Sequence, residues 1–184
     1  MGGGLPRPHE EIDLISINPG KQPNPLTRRN SLMKALKITS ITLYSFSAII
    51  IGTLGLRFIT ATQYFSYHAQ AAATQWSTID PNLQFVYLAV FKLCGAALIS
   101  LCIALLTMII VPFSKHDHRW SHFAIPLIGF LFWSITFAIT LYVTHTTPAK
   151  APWDGSLICV TAILLGFASS LLERSLKKKV IEIT

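Results

Sequence analysis

The stretch from Phe85 to Val111, FVYLAVFKLCGAALISLCIALLTMIIV, carries a single charge, Lys92. An apolar run this long constrains the chain more than any other feature, because about 20 residues already cross the hydrocarbon core of a bilayer. As a helix it would reach about 40 Å, so it must tilt or enter the headgroups. Similar runs lie near 38–59, 122–142 and 155–172. Charged residues make up only 12% of the 184, about half the share of a soluble domain. The fold class expected is an all-α integral membrane four-helix bundle, with spans at about 38–59, 85–111, 122–142 and 155–172.

The net charge of +7 would suggest nucleic acid in a soluble protein. Here the cations flank the apolar runs, so topology and anionic lipid account for them and no nucleic-acid partner is expected. Arg7, Lys21, Arg28, Arg29, Lys34 and Lys37 precede the first span. Lys115 and Arg119 lie between the second and third, and Arg174 with Lys177 to Lys179 follow the fourth. The opposite connections hold only Lys150, with Arg57 near one edge. The positive-inside rule then places both termini in the cytoplasm. Residues 1–30 are polar and proline- and glycine-rich, and read as a disordered leader. They show neither a signal-peptide pattern nor the Ser or Thr a myristoylation signal needs where Pro6 stands.

Small residues suggest how the spans pack, since they let helix backbones approach closely in lipid. Ser45, Ala48, Gly52 and Gly55 share one flank of the first span, and Gly155, Ala162, Gly166, Ser169 and Ser170 a face of the fourth, continued by Glu173. In the second span, Ala89, Lys92, Ala96, Ser100 and Thr107 fall on one side and Phe91, Leu98, Leu101, Leu105 and Ile109 on the other. The small side is expected to face inward and to carry Lys92 with it. Tyr64, Phe65, Tyr67 and Trp76 are headgroup-zone anchors, and the connection from 60 to 82 is expected to form a short helix or a re-entrant segment on the outer face. Asp80 followed by Pro81 reads as the cap and first residue of the next helix.

No catalytic or cofactor motif emerges: there is no H-E-x-x-H, P-loop, Rossmann fingerprint or C-x-x-C. No cofactor is expected. His116, Asp117, His118 and His122 raise a metal site, but the loop also carries Lys115 and Arg119, and a basic turn with Trp120 at the interface is the preferred reading. Cys94 and Cys102 stand too far apart along one helix to pair. The polar candidates for ligand binding gather on the outer side: Arg57, His68, Asp80 and Lys92. Two cations and a carboxylate there could hold an anionic headgroup, or Asp80 could pair with Lys92 and brace the connection.

The pattern Gly55-Leu56-Arg57-Phe58, Tyr67-His68, Asp80-Pro81-x-Leu83-Gln84, Pro112-Phe113, Arg119-Trp120 and Pro152-Trp153 resembles a family of uncharacterised bacterial four-span membrane proteins, and is loosely similar to DoxX-like proteins. The resemblance covers about residues 38 to 173. It implies a bacterial inner-membrane location and a four-helix bundle, and assigns no chemistry. The function expected is a structural, assembly or accessory membrane protein without evident catalysis, acting in the lipid bilayer as a homo-oligomer or with a membrane-protein partner. The alternative is a carrier or binding protein for a lipid or small anion.

Overall fold

The computed structural model describes residues 25–181, with side chains from 27 to 178. Its long helices are α1 (Pro25–Ile59), α3 (Pro81–Met108), α4 (Ser121–Thr146) and α5 (Trp153–Ile181). Each is long and apolar enough to cross a membrane, and no strand occurs among the described residues. The short helix α2 (Ser66–Ala72) and a 3-10 turn (Trp76–Thr78) fill the first connection, as expected of an interfacial segment. The leader lies outside the described residues as far as residue 24; from Pro25 onward the chain is already helical.

The helices stand in the order α3, α1, α5, α4. Helix α1 is the centre of the row, packed on α3 along one flank and α5 along the other, and α4 packs on α5. Helices α3 and α4 scarcely touch, so the row curls into an incomplete ring with one open seam. Along α1, Lys37 and Arg57 are separated by a rise of about 30 Å, the thickness of a hydrocarbon core. One end of the bundle, the termini end, holds Lys37 and the 116–120 turn. The other, the cap end, holds Arg57, α2 and the 147–152 connection.

Glycine sets the α1–α3 contact. A Cβ on Gly95 would fall 2.6 Å from the Gly55 carbonyl oxygen, and one on Gly55 would fall 2.9 Å from that of Gly95. The backbones therefore touch at this crossing, as small residues permit in a membrane. Ala48 and Gly55 are buried on the α1 flank, as the sequence suggests. The facing of α3 is the reverse of the expectation. Gly95, Cys102, Leu105 and Ile109 turn toward α1, while Ala89, Lys92, Ala96, Ser100 and Thr107 are exposed. The physical reason is that the contact distance at the crossing admits no Cβ at all: one glycine outweighs a stripe of alanines.

At the termini end, α3 widens into a π-helix (Ile109–Lys115) around Pro112. Proline has no N–H and its ring collides with the carbonyl four residues back, and a π turn relieves both. Phe113, fully buried, then packs its ring 5.7 Å from Tyr44 and 4.6 Å from His122. This plug closes the α3–α4 seam at the termini end. Nothing comparable among the described residues closes it at the cap end.

Candidate functional site

The open seam holds a cleft of about 850 Å³, within the range of small-molecule sites. Its walls come from all four long helices. Phe46, Ile50 and Leu54 of α1 face Phe132 and Ile139 of α4, and Cys94 and Leu98 of α3 form the opposite side. Buried Trp133 forms part of the wall, fixed by an indole N–H that donates to Ser47 Oγ at 2.6 Å. The threonine hydroxyls in the wall are committed to their own helix: Thr136 donates to the Phe132 carbonyl and Thr140 to that of Thr136. Such back-bonding occupies the hydroxyl donors within the helix.

Among the described residues, Arg57 is the one charged residue lining this cleft. It is exposed, has no carboxylate partner among the described residues, and its guanidinium lies 5.4 Å from the centre of the Phe65 ring. Tyr67 lines the cleft near it. Burial pushes the Tyr67 hydroxyl above its ordinary pKa, with Arg57 pulling the other way, so the phenol stays a hydrogen-bond donor at neutral pH.

Of the other sequence candidates, His68 joins the same aromatic cap. Its ring lies 5.7 Å from Phe65 and 5.3 Å from Phe91. Its Nδ1 is buried without a partner among the described residues, and burial pulls the imidazole pKa below the usual value, which keeps it neutral. Arg57 and His68 thus flank one ring, Phe65. Asp80 serves elsewhere: Oδ1 accepts from Asn82 N at 2.9 Å and Leu83 N at 3.4 Å, with Pro81 opening the helix. No Asp80–Lys92 ion pair occurs among the described residues. Lys92 lies on the exposed side of α3, away from the cleft lining.

A second polar assembly lies at the termini end, and no local spacing signals that Asp117 and His122 join Ser170. His122 is buried, with Nδ1 2.6 Å from Ser170 Oγ and Nε2 3.0 Å from Asp117 Oδ1. The geometry is met by an Nε2–H donating to the carboxylate and a serine O–H donating to Nδ1. Lys177 Nζ donates to Asp117 Oδ2 and to Glu173 Oε1, each at 2.8 Å, and Lys37 stands 3.9 Å from Asp117. Asp117 itself adopts φ 53°, a left-handed turn that aspartate tolerates better than most residues. Burial raises its pKa, but the hydrogen bonds from Lys177 and His122 and the nearby cations outweigh this and hold it below the usual carboxylate value.

Serine, histidine and aspartate in one hydrogen-bonded row invite a hydrolytic reading. Ser170 is fully buried, so a substrate carbonyl has no approach to it. The row joins α4, α5 and the turn between α3 and α4 and acts as a clamp. His116 and His118 stack on each other at 5.5 Å in that exposed turn. No group of three metal-ligating side chains forms among the described residues.

The chain matches no family model, no curated protein and no solved structure.

Proposed function

We propose that this membrane protein binds an anionic amphiphile, its apolar chain entering between α3 and α4 and its anionic group meeting Arg57. The observation that carries this reading is the cleft: apolar walls, an opening along the seam where α3 and α4 part, and a single cation without a carboxylate partner among the described residues. An apolar guest gains roughly 25 cal/mol for each Å² removed from water, but it gains little on leaving lipid. Recognition therefore rests on the shaped wall and on charge. Guanidinium suits carboxylate or phosphate because it offers paired donors in a fixed plane, and Tyr67 can add a third. The distribution of lysine and arginine supports an orientation with both termini cytoplasmic and the cleft in the outer half of the membrane. The resemblance to bacterial four-span proteins supports an inner-membrane setting.

Cys94 provides the test, being exposed and in the cleft wall while Cys102 and Cys159 are buried. In zwitterionic nanodiscs, a long-chain fatty acid or lysophosphatidic acid should slow maleimide labelling of Cys94, and the matching monoacylglycerol should do so far less. Arg57→Gln should erase the difference between the charged and neutral compounds. Equal protection by both compounds, or none by either, would overturn the reading.

A further inference from the structure

A second apolar recess lies on the other side of α4, at the termini end. Phe123, Pro126 and Phe130 of α4 and Ile163, Leu164 and Phe167 of α5 line a groove of about 310 Å³ with no polar surface. It forms because the two helices close tightly beneath it. A Cβ on Gly129 would fall 2.7 Å from Ile163 Cδ1. The groove's length along α4, from Phe123 to Phe130, is about 10 Å, enough for part of an acyl chain lying along the helices.

What sets this groove apart from ordinary lipid-facing surface is the cation at its end. The Arg174 guanidinium lies 5.7 Å from the centre of the Phe123 ring, and Phe123 meets Phe167 edge-on at 6.0 Å. Arg174 has no carboxylate partner among the described residues. The adjacent Glu173 is buried on another side of α5 and pairs with Lys177. Arg174 also stands at the level of the clamp, since Phe123 follows His122 and Ser170 lies one turn before it. That level, with Lys37 and Asp117, is where headgroups meet the bundle if the core is about 30 Å thick. We infer that the α4–α5 groove is a site for an anionic phospholipid of the surrounding bilayer, one acyl chain lying over Phe167 and the phosphate held by Arg174. Charge complementarity selects this occupant over a zwitterionic lipid, whose own choline cation competes with the arginine for the phosphate. The inference stands apart from the cleft, which lies at the other end of the molecule and uses Arg57.

Native mass spectrometry of the protein released from mixed phosphatidylglycerol and phosphatidylcholine micelles tests it. The wild type should retain phosphatidylglycerol preferentially. Arg174→Gln should lower that retention roughly fivefold, the effect of one basic residue near an anionic surface. Leu164→Trp, at a position 49% exposed where the added bulk enters the groove rather than the core, should lower it with Arg174 intact. The same fall should separate Arg57→Gln from the Arg57→Gln/Arg174→Gln double variant, so the two sites fail separately. Unaltered retention in Arg174→Gln overturns the site. Retention unaltered in Leu164→Trp alone shows charge without a groove, and overturns it too.

Discussion

His122 is a histidine that sequence reading weighs as a metal ligand or a loop residue, and the fold makes it a buried strut. Its two ring nitrogens meet Asp117 and Ser170, 48 positions apart from the latter along the chain. Removing the ring strands a buried serine hydroxyl and breaks a hydrogen bond to a charged group, a loss of about 1–3 kcal/mol. His122→Ala should therefore lower the free energy of unfolding by that amount in detergent–SDS titrations; an unchanged midpoint would show that the clamp bears no weight. Asp117 sets the pH dependence. Its folded pKa lies below the usual carboxylate value, so its stabilisation is present above the unfolded pKa and is lost as pH falls through the folded one. Asp117→Asn should be less stable than wild type near neutrality and should show a flatter acid limb. A limb as steep as that of wild type would place the acid transition on another group. Such a cluster is invisible to local pattern reading because its members come from two helices and a turn, and no spacing rule links 117, 122 and 170.

At the scale of elements, much was legible because it is encoded within a few residues. Asp80-Pro81 announces the start of α3, the aromatic run from Tyr64 to Trp76 announces a cap segment, and the small flank of α1 announces a packing face. The facing of α3 was not legible by the same rule. Periodicity ranks faces by average size, whereas the α1–α3 crossing depends on the few places where no Cβ fits. The two possibilities separate cleanly in mutants. Gly95→Ala brings a Cβ to 2.6 Å from a backbone oxygen and should cost about 1–3 kcal/mol by overpacking. Ala96→Leu, one position along on the exposed side, should stay within about 0.5 kcal/mol of wild type. If Ala96→Leu were the damaging change, the small face would be the buried one after all. Lys92 shares that exposed side, and lies about one turn beyond the Gly95 crossing, close enough to the cap end for its ammonium to reach the interface.

For the molecule as a whole, the decisive feature is a missing contact, which no run of residues advertises. Four spans could close into a ring; these leave α3 and α4 apart, plugged by Phe113 at one end and open at the other. Under the proposed function, the apolar wall with one cation is a shape that an amphiphile fills. Access should then depend on the spacing of α3 and α4. Cys94 on α3 and Thr136 on α4 both line the cleft. In a Thr136→Cys variant, a short bismaleimide that bridges the two thiols should hold the seam shut and block the cleft, abolishing binding of a radiolabelled fatty acid. The same variant capped with two molecules of a small monofunctional maleimide controls for the added bulk. Loss of binding only in the bridged protein would mean that the ligand passes between the two helices. Undiminished binding in the bridged protein would mean that α3 and α4 do not form its path, and the open seam would have to be explained by packing alone.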